Sequence, residues 1–283
     1  MSLFVISHYQ AYALVGARRK GQTVAKTSPD LTLTTVEAAL DDEGVIYPDP
    51  WNIRLTWEQL EPIAKDETHC FKLVDGELVK IHTFSDVTNR AISLYPTAAA
   101  PTMVLAGFPM HRIKDTDPYK DTLAKIKAAS PVTSVVLDTA TGLGYTATQA
   151  AKTAQQVYTC ELDPSVLEIC AQNPWSQGLF GNPKITQLQG DVFDLIEEMD
   201  AGMFSRVIHD PPTVQLAGHL YSGDFYAEVH RVLKPGGRLF HYIGDPKSGL
   251  GSSMTRGVVK RLIAAGFRSV RPAPQAYGVV ADK

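Results

Sequence analysis

Cysteine is scarce in this sequence: Cys70, Cys160 and Cys170 are the only three among 283 residues. An odd, widely spaced set builds no disulfide framework, and without a CxxC pair or a cysteine–histidine cluster there is no zinc-ligand spacing. An excess of one charge is also missing. Lys plus Arg number 27 and Asp plus Glu 30, a formal net charge of −3. That balance argues against a cationic coat for nucleic acid and against a polybasic membrane anchor. No apolar run approaches the ~20 residues of a membrane span. The first dozen residues have neither the basic start nor the apolar stretch of a signal peptide. These absences predict a soluble protein of a reducing compartment, the cytoplasm. What is present, 44% hydrophobic and 20% charged residues, is the balance of a globular protein and excludes disorder.

The chain changes character near residue 112. Before it, short β-branched and aromatic stretches alternate with turn residues. Phe71–Val74 and Leu78–Ile81, joined by Asp75-Gly76, predict a β-hairpin, because Asp-Gly tolerates the positive φ of a type I′ turn. Leu3–Val15, Leu31–Thr35 and Gly44–Tyr47 are read as further strands and Trp57–Ala64 as a short helix. Residues 1–112 are thus expected to form a small, mainly β domain. Beyond them, strands and helices alternate. A helix opens at Asp117-Pro118, and its apolar residues Leu123, Ile126 and Ala129 keep helical spacing. Five strands follow, at Ser134–Leu137, Val157–Cys160, Ile185–Gln189, Arg206–His209 and Arg238–Ile243. Continuous apolar strands separated by helices predict an α/β fold, a doubly wound, Rossmann-like parallel sheet covered on both faces. Phe267–Val270 and Tyr277–Val280 are too close for a crossover helix, so the sheet is expected to end in an antiparallel pair.

Asp138 to Ala147 sits at the carboxyl end of the first parallel strand, where ligands bind in such sheets. Gly142 and Gly144 permit a tight turn and close backbone approach. Glu161 ends the next strand, placed to accept hydrogen bonds from both hydroxyls of a ribose. Gly142, Gly144 and Ala147 also match the dinucleotide fingerprint, so a nicotinamide enzyme is a rival. Asp138 weighs against it: a carboxylate four residues before the first glycine suits a ligand bearing an ammonium group and suits a pyrophosphate badly. The late position of the fingerprint and the antiparallel ending weigh the same way.

Asp138–Tyr145, Glu161, Gly190-Asp191, Asp210-Pro211-Pro212 and Leu233–Gly237 together resemble the ordered motifs of class I S-adenosylmethionine (SAM) dependent methyltransferases, over roughly residues 113–283. The longer strings Val136–Ala147, Val207–Thr213 and Val232–Pro246 are similar to a poorly characterised predicted methyltransferase family known mainly from archaea. The junction, residues 99–122, extends that likeness into the first domain. The resemblance implies SAM as cofactor. It implies that Asp138, Thr139 and the Gly142–Gly144 backbone hold the methionine moiety, that Glu161 takes the ribose hydroxyls, and that Leu162 packs on adenine. Asp191 would bind the adenine amino group and the Val192 N–H a ring nitrogen; Asp191 also fits an N-cap for the helix that follows.

Asp210-Pro211-Pro212-Thr213 follows the fourth strand, where donor and acceptor should meet. Two prolines fix the backbone and leave carbonyls without neighbouring N–H donors. A similar Asn/Asp-Pro-Pro-aromatic motif orients the target nitrogen in methyltransferases acting on planar amino groups. Thr213 stands where that motif carries an aromatic, which argues against a nucleobase and leaves an aliphatic amine, amide or carboxylate acceptor. Asp210, Pro211 and Pro212 are the candidate catalytic residues, Asp210 as general base or as holder of a cationic amine. His209 is read as a satisfied structural histidine; His241, Tyr242 and Asp245 as bordering the cleft; His219, Tyr221 and Tyr226 as undecided among lid, core and surface. Arg112 and Asp117 are read as reaching the cofactor or forming a junction salt bridge, and Arg256, Lys260 and Arg261 as solvated. The expectation is methyl transfer to nitrogen or oxygen of an unidentified small-molecule or macromolecular acceptor, in no stated oligomeric form and with no membrane partner. The rival readings are a spermidine-synthase-like aminopropyltransferase using decarboxylated SAM and a non-catalytic nucleotide-binding module.

Overall fold

The computed structural model describes residues 3–245 and 248–283; Pro246, the last residue of one quoted motif, lies outside them. The chain divides into two compact units. Residues 1–119 and 165–180 form the first; residues 120–164 and 181–283 form the second.

The first unit carries three small antiparallel sheets. The hairpin forms as its turn chemistry requires: Cys70–Val74 pairs with Glu77–Lys80, and the connecting Asp75 and Gly76 have φ of 51° and 87°. Gly44–Ile46 is a strand and Trp57–Ile63 a helix, both as expected. Two expectations fail. Only Val5–Ser7 of the Leu3–Val15 stretch is a strand, and His8–Arg19 is a helix. A capping box at Ser7 and Gln10 starts that helix, and Leu14 and Val15 beside Ala11 bury its inner face, so a local hydrogen-bond motif outweighed β-branched composition. Leu31–Thr35 is a loop, because Leu31 and Thr32 take positive φ and the Asp30 carboxylate binds the Thr34 N–H and hydroxyl. Ile6, Leu14, Tyr47, Leu55 and Leu60 are the centre of this unit's core.

The second unit is built on one seven-stranded sheet. Helix α1 (Pro118–Ala129) leads into β1 (Val135–Asp138), α2 (Tyr145–Ala151) and β2 (Gln156–Glu161). Then come α3 (Pro164–Ala171), which after its first residue belongs to the first unit, and, back in the second, β3 (Ile185–Gln189), α4 (Val192–Leu195) and β4 (Phe204–His209). The chain ends with α5 (Val214–Ala217), α6 (Gly223–Val232), β5 (Leu233–Tyr242), α7 (Gly249–Ala264), β6 (Ser269–Ala273) and β7 (Gly278–Asp282). The strand order is β3-β2-β1-β4-β5-β7-β6. The first five strands are parallel and β7 runs antiparallel to both β5 and β6, as expected. Leu137, Val207 and Leu239, one from each central strand, lie in one apolar cluster with Phe225 and Val229 of α6 and Val258 and Leu262 of α7. The direction of the sheet reverses between β1 and β4, so the loops after both strands open on the same switch point.

The apolar residues of α1 do not by themselves mark its inner face. Helix α1 buries Pro118, Asp121, Thr122, Lys125 and Ala129, and leaves Leu123 at 43% exposure. These positions keep helical spacing, so the buried stripe is real; it is simply polar. Its reason lies in the site.

Candidate active site

Asp138 is the last residue of β1 and is wholly buried. The Thr159 hydroxyl on β2 donates to its Oδ2 at 2.7 Å. With that proton committed, the Thr141 hydroxyl, 2.7 Å from Thr159, donates to Thr159 in turn. The other carboxylate oxygen, Oδ1, has no hydrogen-bond partner. Burial pushes this carboxyl up to about 8, with the neighbouring charges of Asp210 and Glu161 adding to the rise and Thr159 and Lys125 opposing it. A buried carboxylate with one oxygen unsatisfied is a costly arrangement in the absence of a cation.

The turn after β1 is shaped by Gly142 and Gly144, whose φ of 52° and 70° lie in the left-handed region. Glu161, at the end of β2, ties this turn down. Its Oε2 accepts the Gly142 N–H at 2.9 Å and its Oε1 accepts the Asp163 N–H at 3.1 Å. Burial raises Glu161 to about 7 against backbone hydrogen bonds from Gly142, Asp163 and Leu162. A carboxylate has about four acceptor directions, so these bonds leave room for a ligand's donor. Leu162, next in the chain, is 46% exposed, an apolar side chain turned to solvent beside the turn. Asp191 caps α4, its Oδ1 accepting the Phe193 N–H, while its Oδ2 lies 2.9 Å from His219 Nε2. The cap anticipated for Asp191 is therefore present, and His219 is its partner. Val192 is buried at the first position of α4, where backbone N–H groups lack intrahelical acceptors. Thr139 faces inward: its N–H donates to the Ile208 carbonyl and its hydroxyl lies 2.7 Å from His209 Nδ1.

His209 is fully buried and satisfied on both nitrogens, as expected. Its Nε2 lies 3.0 Å from the Leu220 carbonyl, an acceptor only, so Nε2 carries the proton and Nδ1 accepts from Thr139. Burial depresses its pKa to about 3, and the ring stays neutral. His241 does not border a cleft. It is equally buried, 4.4 Å ring to ring from His209, with Nε2 2.9 Å from the Tyr226 hydroxyl. Tyr226 and Tyr221 are core residues for the same reason. Arg261 is no solvated cation either, since its Nε donates to the Tyr221 carbonyl at 2.8 Å.

At the Asp-Pro-Pro segment Pro211 is buried and Pro212 half-buried. The Tyr221 hydroxyl donates to the Pro212 carbonyl at 3.0 Å, so this carbonyl is not the free acceptor that the sequence suggests. Asp210 has a partner the sequence did not reveal. Lys125 Nζ lies 2.6 Å from Asp210 Oδ2 and 2.8 Å from Asp121 Oδ2, with Lys125 and Asp121 both buried. The ammonium also sits 4.6 Å from the centroid of the Tyr242 ring. Burial lowers the lysine pKa, yet the two carboxylates outweigh it and the net shift is upward. The polar stripe of α1 therefore delivers a permanent charge to the end of β4. In sequence, Asp121 and Lys125 resemble any surface i, i+4 pair; the sole signal was that 118, 121, 122, 125 and 129 share one face.

Comparison with known proteins agrees with this architecture. A methyltransferase-domain family matches residues 137–241. The uncharacterized protein MJ1233 of Methanocaldococcus jannaschii is 46% identical over 232 residues, 81% of this chain and 78% of that one. The chain belongs to the family of that archaeal protein, and the stretch that matches the methyltransferase-domain family lies in its second unit apart from the 165–180 excursion. Polyamine aminopropyltransferase 2 of Streptomyces coelicolor is 30% identical over 96 residues, 32% of this chain and 17% of that protein. A spermidine synthase solved with the transition-state analogue AdoDATO superposes with a TM-score of 0.58 at 17% identity, over 75% of each chain, and so shares the fold.

The cofactor of such a domain is SAM, and the residues present fit it. The unsatisfied Asp138 Oδ1 suits an ammonium group, the spare acceptor directions of Glu161 suit ribose hydroxyls, and Leu162 offers an apolar surface for a planar base. No helix among the described residues is long and apolar enough to cross a membrane.

Proposed function

We propose that this protein transfers a methyl group from SAM to a nitrogen or oxygen of an acceptor. The observation that carries the reading is the buried Asp138 carboxylate with one oxygen unpartnered beside the left-handed Gly142–Gly144 turn. A pyrophosphate would repel that carboxylate; a cationic amino acid moiety satisfies it. Asp138 and the turn backbone hold the methionine end. Glu161 takes the ribose, Leu162 covers one adenine face, and Asp191 with the Val192 N–H reads its edge. Thr139 supports the site indirectly, through His209. When bound, SAM supplies an electrophilic methyl group on a sulfonium. Asp210, held between Pro211 and Lys125, accepts a hydrogen bond from the acceptor and so aims its lone pair; Pro211 and Pro212 stiffen the backbone that carries Asp210.

Aminopropyl transfer from decarboxylated SAM is the second reading. It is favoured by the likeness to spermidine synthase over three quarters of the chain and by the polyamine aminopropyltransferase relative. Asp138 suits both donors, because both carry an ammonium group. Calorimetric titration with SAM, decarboxylated SAM and NAD separates these readings. SAM is expected to bind most tightly. A clear preference for decarboxylated SAM would replace methyl by aminopropyl transfer, and binding of NAD alone would overturn both.

A further inference from the structure

Helix α1 turns three polar residues, Asp121, Thr122 and Lys125, toward the interior where an apolar stripe would ordinarily pack. Buried charges are tolerated only when paired, and an ion pair there gives little net stability over an apolar replacement. The stripe therefore calls for a reason beyond folding. Its geometry supplies one. An ammonium has three donors. In Lys125 one is directed at Asp210 and one at Asp121, and the third side of the group lies against the Tyr242 ring. The lysine is saturated, and its charge is shared between Asp121 and the carboxylate at the end of β4 where the acceptor must be held.

We propose that Lys125 determines acceptor specificity: its ammonium is built into the place beside Asp210 that an amine cation would otherwise take, so diamines and polyamines are excluded and the acceptor presents an uncharged nitrogen or oxygen. This rests on the methyltransferase reading and narrows it. An incoming ammonium meets a carboxylate that already pairs with a cation, a like charge 2.6 Å from its oxygen. A neutral N–H or O–H meets no such repulsion and needs from Asp210 only a hydrogen bond. Lys125 itself, 2% exposed at its side chain, acts through Asp210 and is a positioning residue.

The test is calorimetric titration of putrescine and spermidine into the whole protein at pH 7 with saturating SAM. The wild-type protein is expected to show no binding up to about 1 mM polyamine. The double variant Lys125→Met/Asp121→Asn keeps the net charge of the trio at −1 but takes the Lys125 ammonium away from Asp210, and is expected to bind polyamine at least ~10-fold more tightly. A structural role alone would not create that binding. Lys125→Gln/Asp121→Asn, which keeps hydrogen-bonding capacity, serves if the first variant does not fold. Micromolar binding of putrescine by the wild-type protein, or no gain in a folded double variant, would overturn the proposal. Absence of SAM binding to the wild-type protein would instead end the methyltransferase reading, whatever the polyamines do.

Discussion

At the scale of single residues, two carboxylates differ in what their surroundings ask of them. Glu161 accepts two backbone N–H groups and would be serviceable without a ligand; Asp138 has an oxygen with nothing to accept. Glu161 thus has both a structural and a binding role, which mutation separates. Glu161→Ala is expected to weaken SAM by ~1.5–3 kcal/mol, the usual worth of hydrogen bonds to a charged group. Glu161→Gln is expected to recover part of that loss through its retained carbonyl oxygen. Calorimetry on both variants checks this, and an unchanged affinity in Glu161→Ala would remove the ribose assignment.

At the scale of elements, two glycines look alike in sequence and differ in what they permit. Gly142 has a φ of 52°, but a Cβ there would meet no heavy atom within 4 Å. Gly278 opens β7 against β5, and a Cβ there would lie 2.2 Å from the His241 carbonyl oxygen. Gly142→Ala is therefore expected to cost ~1–2 kcal/mol of left-handed backbone strain. Gly278→Ala has a backbone atom in its way and is expected to cost about 3 kcal/mol, at the upper end of overpacking. Denaturant unfolding of the two variants should rank them in that order. Helix α1 belongs at this scale too. Its apolar spacing was legible, but Leu123 and Ile126 do not mark the inner face, which carries Lys125 to Asp210.

At the scale of the molecule, pH sets a balance among buried groups. Asp138 and Glu161 titrate at about 8 and about 7 in the folded chain, above their unfolded values of 3.8 and 4.5. The native state therefore binds more protons than the unfolded state up to pH 8, and stability falls as pH rises through that range. His209 has its pKa depressed to about 3 and His241 is lowered as well, so their contribution is present above pH 6.5 and lost as pH falls. Between pH 6.5 and 8 the carboxyls outweigh the tail of the histidine titration, which runs the other way. Across that interval the ligand-free protein is expected to lose about 2 kcal/mol of stability, seen as a lower Tm in thermal unfolding. Asp138→Asn should flatten most of that slope. Saturating SAM should also reduce it, since a cation beside Asp138 favours the ionised form. A ligand-free Tm that rises between pH 6.5 and 8 would contradict the burial argument.

Sequence alone determined the alternation of strands and helices after residue 112, the antiparallel ending, the Asp75-Gly76 hairpin and the glycine turn with its acid one strand on. These are local matters: turn chemistry, apolar runs and the length of a connection decide them within a few neighbouring residues. The sites of Asp138, Glu161, Asp191 and Asp210 at strand ends were legible for the same reason. Tertiary structure alone decided who their partners are. His219 on Asp191, Tyr221 on the Pro212 carbonyl and Lys125 on Asp210 join residues 28, 9 and 85 positions apart. It decided also that His241 is core, because Tyr226 and His209 close over it. A charged side chain carries no mark in sequence of whether water or another charge will neutralise it. Packing makes that choice, by the cost of leaving a buried charge unpaired.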